Sequence, residues 1–288
     1  MQFPEYFADA ESSFKDATFI LFGVPFEKTS SFRHGADKAP FEIRQASWNF
    51  ERYDLRTTIN FEDIPVHDYG NLDVKKLNSK ELFQTVNTFT KHLLHQQKTP
   101  IALGGDHSIT PGIVSAFPND IAVLSLDAHM DFRQEYKNDI YNHACVIRRI
   151  ADHIPLQNIA VLGIRSAEKE EYEHAQKLGL FFHDAYSINS IGLQKIIQQT
   201  KTLLKGKKIY LTLDIDVVDP AYAPGTSTPE PCGLTPVQVI EIIEAFSPQL
   251  IGADLVEVCP PYDHGQTAVL GAKLIKTTLG LIWKEQQA

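Results

Sequence analysis

Residues 121–131 read IAVLSLDAHMD. The first six positions are apolar almost throughout, which is the pattern of a strand buried on both faces, because a strand with one wet face alternates. Asp127, His129 and Asp131 follow at once. A strand buried on both faces needs helices above and below it, so this stretch calls for an α/β fold with a parallel sheet. Working outward, short apolar runs rich in β-branched and aromatic residues predict strands over 17–24, 64–68, 100–104, 121–126, 158–163, 180–183, 208–213 and 250–256. Helical spacing marks 79–97, 168–178, 191–204, 236–246 and 266–283. Such alternation of strand and helix implies right-handed crossovers and a largely parallel sheet covered on both faces.

The composition agrees with a large folded unit. Of 288 residues, 43% are hydrophobic and 22% charged, enough apolar surface for a sizeable core. No linker or repeat divides the chain, and we expect a single domain over 1–288. The Pro-rich segment 219–233, DPAYAPGTSTPEPCG, directly follows a strand and reads as a functional loop. Against 27 Lys and Arg stand 36 Asp and Glu, a formal charge of -9, which argues against a nucleic-acid partner. No run of about 18 apolar residues occurs, so no membrane span is expected. The first 14 residues lack the basic and apolar regions of a signal peptide. Cys145, Cys232 and Cys259 are odd in number and far apart, which suggests a reducing, cytoplasmic setting.

Four polar clusters stand at the carboxyl ends of predicted strands: Asp106 and His107; Asp127, His129 and Asp131; Asp214 and Asp216; and Glu257. Ligands of an open parallel sheet bind outside those ends, so the four can share one crevice. Residues two apart in extended backbone point the same way, which lets Asp127, His129 and Asp131 project together, and Asp214 with Asp216. Two imidazoles and several carboxylates, with no cysteine among them, suit one or two borderline or hard divalent ions such as manganese. Crowded carboxylates would otherwise repel and protonate. A lone DxD at a strand end is more often a turn or cap, whereas three ligand-type residues alternating straight after a buried strand serve no packing purpose. On spacing alone, His143 in NHACVIRR is either a polar helix-start residue or a general acid or proton shuttle. Glu257 is either a strand-end carboxylate paired to a base or an anion that holds a cationic substrate.

These residues resemble the ureohydrolase family, which includes arginases and agmatinases. The resemblance rests on GGDHSIT (104–110), SLDAHMD (125–131), NHACVIRR (142–149), TLDIDVVDPAYAPGTSTPEPCG (212–233) and GADLVEVCPPYD (252–263), and extends to 23–47 and 263–275. It implies a three-layer α/β/α sandwich with an eight-stranded parallel sheet, and two Mn²⁺ ions per chain. One ion would be held by His107, Asp127, Asp131 and Asp214, the other by Asp127, His129, Asp214 and Asp216. It further implies that a metal-bridging hydroxide attacks a guanidinium carbon held by Glu257, and that Asp131 and His143 carry protons. Urea and an amine would be the products, and the assembly a homotrimer or homohexamer.

The loop after DAHMD reads FRQEYKNDIYNHACVIRR (132–149) and lacks the arginase pattern for an α-amino acid, apart from Asn142 and His143. The wording of NHACVIRR and EVCPPYD is similar to that of microbial agmatinases, which makes agmatine the expected substrate. His143 would stand beside it, and Glu135 and Asp139 are candidates for its distal amine. The segment FRHGADKAP departs from agmatinases at His34 and Asp37, and the extra acid at Asp37 would suit a longer polyamine. Alternatives are another guanidino compound (N1-aminopropylagmatine, guanidinobutyrate or arginine), a related single-zinc deacetylase, or a non-catalytic family member.

Overall fold

The computed structural model describes residues 4–287. Eight strands form one parallel sheet: β1 (Phe19–Val24), β2 (Val66–Asn71), β3 (Thr99–Gly104), β4 (Ala122–Leu126), β5 (Ile159–Ile164), β6 (Phe181–Asp184), β7 (Ile209–Asp214) and β8 (Leu250–Val256). Their order is β2-β1-β3-β8-β7-β4-β5-β6. All eight coincide with predicted runs, with ends shifted by a few residues. Every residue of β1, β4, β5 and β7 is buried, whereas the edge strands β2 and β6 are mostly half-exposed. Uninterrupted hydrophobicity therefore belongs to central strands, as two-sided burial demands.

Side-chain alternation splits the core into two layers. Leu211 and Leu213 of β7 join Leu124 and Leu126 of β4 under the helices Ala39–Ser47, Leu193–Leu203, Pro236–Phe246 and Gln266–Gln287. Tyr210, Val123 and Val161 face the opposite way, under Ser79–His95, Val146–Ile150 and Lys169–Leu178. The result is the α/β/α sandwich. Local signals fix the helix ends. Asn78 and Glu81 form a capping box ahead of Ser79–His95, and Thr235 and Gln238 form another ahead of Pro236–Phe246. Where the spacing predicts one helix over 191–204, the chain instead forms Ala185–Ile191 and Leu193–Leu203. Gly192 between them sits at φ 98, which a right-handed helix cannot include. Among the described residues, no helix is long and apolar enough to cross a membrane.

The sheet order positions the chemistry. The four polar clusters follow β3, β8, β7 and β4, which are consecutive neighbours at the centre of the sheet although they are far apart in the chain. Strand β8, the last in sequence, inserts between β3 and β7 and is the hydrogen-bonded link between β2-β1-β3 and β7-β4-β5-β6.

Candidate metal centre

Three aspartates are built alike. Asp127 Oδ1 accepts from His129 N (2.7 Å), Asp214 Oδ1 from Asp216 N (2.9 Å), and Asp216 Oδ1 from Ala128 N (3.0 Å). In each, one oxygen is tied to backbone and the other is left facing inward. Asp127 Oδ2 and Asp214 Oδ2 lie 3.2 and 3.3 Å from His107 Nδ1, with Asp131 Oδ2 at 3.4 Å. Asp216 Oδ2 lies 2.9 Å from His129 Nδ1, whose Asp127 Oδ1 neighbour is at 3.8 Å. His107, Asp127 and Asp214 form one potential ligand group; Asp127, His129 and Asp216 form another that shares Asp127.

The residues converge, though not by the extended alternation that the spacing suggests. Asp131 turns into the centre from a left-handed backbone, φ 47, and its carbonyl is pinned by Ile147 N (2.9 Å). Asp216 sits within the 3-10 turn Ile215–Val217. Glu257 likewise has φ 61, and its Oε1 accepts from His107 N (2.7 Å). Left-handed backbone is uncommon outside glycine, and here it aims two acids at one point.

The donor set fits divalent ions. His107 Nδ1, Asp127 Oδ2 and Asp216 Oδ2 are buried without a hydrogen-bond partner, which is costly unless something charged completes them. Ligand atoms about 2.0–2.2 Å from a common ion stand roughly 3 to 3.5 Å apart, the spacing around His107 Nδ1. The tautomer also fits. Thr212 Oγ1 gives its hydrogen to Asp254 Oδ1 (2.7 Å), so it accepts from His107 Nε2 at 2.9 Å, which leaves the Nδ1 lone pair facing the carboxylates.

Electrostatics make the same demand. Burial, followed by the charge of Asp127, lifts the Asp131 carboxyl to about 7. Burial and the neighbouring carboxylates raise Asp214 strongly and Asp127 as well. Burial also pushes Asp216 upward, but His129 and the Ala128 N–H outweigh it, and Asp216 stays below its ordinary value. The histidines complement this. Burial lowers His107 and His129, yet the surrounding carboxylates hold both well above 6.5. Without cations the cluster therefore takes up protons, and bound cations would replace them.

The centre opens into a cavity of about 240 Å³, lined at its inner end by His129, Asp131, Asp214, His143 and Glu257. Burial and then the charge of Asp106 lift Glu257 to about 8, so this carboxylate favours a cationic neighbour. His143 is lowered by burial, against an upward pull from Asp106. The rest of the lining includes Arg133, Tyr136, Ser166, Glu168 and Glu171, none of which belongs to the four strand-end clusters; Glu168 is largely exposed, Arg133 partly so, and Glu171 is buried. Glu168–Glu171 directly follow β5 and could have been found by the strand-end rule. They were hidden because they also make the capping box of Lys169–Leu178.

Glu135 and Asp139 lie outside this lining. Their loop is a tight hairpin: Tyr136 and Asp139 exchange backbone hydrogen bonds (3.1 and 3.0 Å) across Lys137 and Asn138, both at positive φ. The turn sends Tyr136 to the cavity, its ring 6.2 Å from that of His143, while the Asp139 side chain accepts from Tyr141 N (2.9 Å). Of the 27–37 segment, Ser31 reaches the cavity; His34 and Asp37 do not line it. His34 pairs with Glu27 at 2.8 Å.

The sequence profile described as Arginase family matches residues 17–280. The chain belongs to the arginase family. Like the family's other hydrolases, this arginase-family chain cleaves C–N bonds of guanidino or amidino groups. It is 32% identical to the agmatinase of Bacillus cereus over 280 residues, 95% of this chain and 94% of that one. It is 34% identical to the N(1)-aminopropylagmatine ureohydrolase of Thermococcus kodakarensis over 272 residues, 93% and 92% of the two chains. The crystal structure of the agmatine ureohydrolase of Thermoplasma volcanium superposes with a TM-score of 0.94 at 35% identity, covering 100% of this chain and 97% of that one.

Proposed function

We propose that this chain hydrolyses agmatine to putrescine and urea, using two manganese ions per chain. The observation that carries the substrate is the charge lining the cavity: buried Glu257 beside the centre, and Arg133 with buried Glu171 and the largely exposed Glu168. Those last three, one cation and two anions, sum to a formal charge of -1, with Arg133 3.6 Å from Glu168 and 3.5 Å from Glu171. A substrate with a cation at each end suits this cavity, and one with a distal carboxylate suits it less.

His107, Asp127, Asp131 and Asp214 would hold one ion, and Asp127, His129, Asp214 and Asp216 the other. When bound, the ions supply an activated water at neutral pH and positive charge for the transition state. Glu257 receives and orients the guanidinium. Asp131 takes the proton of the attacking water at its carboxylate and passes it to the leaving nitrogen, while His143 exchanges protons with solvent. We assign the distal amine to Glu168, which is largely exposed at the mouth, ahead of Glu135 and Asp139. Glu171 is the less free of the two glutamates, because it is buried and its oxygens accept from Phe132 N (2.7 Å) and Glu168 N (3.3 Å).

The test is a urea-release panel with manganese over agmatine, N1-aminopropylagmatine, guanidinobutyrate and arginine. Highest kcat/KM on agmatine is expected. The second reading is N1-aminopropylagmatine, favoured by the Thermococcus kodakarensis relative, and preference for guanidinobutyrate or arginine would refute the charge argument. We take the working form to be a cytoplasmic homotrimer or homohexamer of single-domain chains, which sedimentation of the metal-loaded protein would measure.

A further inference from the structure

Asp106 is fully buried, adjoins the centre and belongs to neither ligand group. Four donors converge on it. Its Oδ2 accepts from Thr29 N (3.0 Å) and Thr29 Oγ1 (2.9 Å), and its Oδ1 from Ser108 N (3.1 Å) and the Ser108 hydroxyl. A carboxylate so surrounded acts as an acceptor alone. The single hydroxyl hydrogen of Thr29 is thereby committed to Asp106, and the hydroxyl oxygen can only accept from its remaining neighbours. Both belong to His143: the backbone N–H at 3.0 Å and the ring Nδ1 at 3.1 Å.

A bare Nδ1 there would set a lone pair against a lone pair. Rotating the Thr29 hydroxyl to serve Nδ1 would strip a charge-assisted hydrogen bond from a fully buried carboxylate. We propose that Thr29 and Asp106 are positioning residues that hold neutral His143 as its Nδ1–H tautomer, which leaves Nε2 as the ring atom that exchanges protons in the cavity. Three elements meet in the device: the loop after β1, the turn after β3 and the 3-10 turn His143–Cys145.

A buried carboxylate that fixes a histidine tautomer directly is the arrangement of the serine-protease triad. Here a threonine hydroxyl stands between the two. The chemical consequence is one-ended traffic: Nε2 takes up a proton and gives it back from the same atom, Nδ1–H stays in place, and the ring does not turn. Tyr136 meets the His143 ring edge-on at 79° and helps keep it from turning. The inference deepens the role given to His143 under the proposed function and rests on it for its kinetic part.

The experiment uses the full chain loaded with metal. Thr29→Val should lower kcat for urea release on the order of 10²-fold, with KM and bound metal close to those of the unsubstituted protein. Thr29→Ser, which keeps the hydroxyl, should restore the rate. Nitrogen NMR of histidine-labelled protein, loaded with a diamagnetic divalent ion and assigned by the signal lost in His143→Ala, reads the tautomer directly. The unsubstituted protein and Thr29→Ser should carry the proton on Nδ1, and Thr29→Val should shift toward Nε2–H. A neutral His143 protonated at Nε2 in the unsubstituted chain would overturn the proposal, as would a Thr29→Val protein with unchanged rate and tautomer. Should the unsubstituted chain release no urea from any guanidino compound, the proposed function fails, and the NMR result still decides the tautomer.

Discussion

Thr212→Val isolates the support behind the metal centre, because valine keeps the shape of threonine and removes only the hydroxyl. Two buried groups then lose their partner: His107 Nε2–H, bonded at 2.9 Å, and Asp254 Oδ1, bonded at 2.7 Å. Asp254 Oδ2 keeps Tyr210 OH and Thr110 Oγ1, both at 2.9 Å, so the network is halved and not destroyed. Each orphaned group costs about 1 to 3 kcal/mol of stability. The free imidazole can also turn or change tautomer, and loss of such a supporting bond typically weakens metal binding about 10- to 100-fold, or about 1.4 to 2.7 kcal/mol.

Two measurements separate these effects. Thermal unfolding of metal-free protein reads the first, and titration with manganese against a competing chelator reads the second. At fixed excess metal, the metal-induced rise in Tm should shrink by roughly 3 to 11 °C, at about 2 to 4 °C per kcal/mol. Thr212→Ser should behave as the parent. Unchanged manganese affinity in Thr212→Val, with an unchanged metal-induced rise, would refute the argument that Asp254 and Thr212 set the His107 lone pair.

Asp127 is shared by both ligand groups and is fully buried; Asp127→Ala should abolish retention of divalent ion through desalting and urea release together, and retained activity would contradict the centre. His143→Ala should keep the metal and lose about 10² to 10⁴-fold in kcat, and a variant at full speed would remove His143 from proton transfer. Asp54 accepts from Arg56 N and Thr57 N, both at 2.9 Å, and from Lys273 Nζ. Burial pushes this carboxyl up, but the hydrogen bonds and the lysine outweigh it, so its pKa is lowered. Its contribution is thus present above the unfolded value of about 3.9 and fades as pH falls through the folded value. Asp54→Asn should cost about 1.5 to 3 kcal/mol at pH 7, and denaturant melts should show the gap to the parent closing below about pH 4; a pH-independent gap would contradict the linkage.

What the sequence disclosed and what it hid follow from how each residue is buried. The central strands were legible because nothing but two-sided burial explains IAVLSL. The helix Ala39–Ser47 was not, since one of its buried positions is an arginine. Arg44 spends all three of its nitrogens on Asp68, Asn71, Pro40 O and Gly70 O, a polar solution to burial that apolar periodicity counts as surface. The potential metal ligands were readable by type and strand-end position. The left-handed turns at Asp131 and Glu257 that aim them depend on tertiary contacts, and no residue identity announced them. Tyr136 was missed for a similar reason: the positive-φ pair Lys137–Asn138 contains no glycine, so the hairpin that points the tyrosine inward was invisible.

The place of β8 also bears on how the centre is assembled. Without β8 the structure divides into two incomplete sheets, one carrying His107 and the other carrying Asp127, His129, Asp131, Asp214 and Asp216. The edges of β3 and β7 stay open until residues 250–256 pair with both. An open central edge is a template for pairing with other chains, so a chain in which β8 has not docked is exposed to aggregation. Docking of β8 then brings His107 to the carboxylates, so the group of His107, Asp127 and Asp214 is completed only in the closed sheet, whereas Asp127, His129 and Asp216 already share one half and can bind an ion before it.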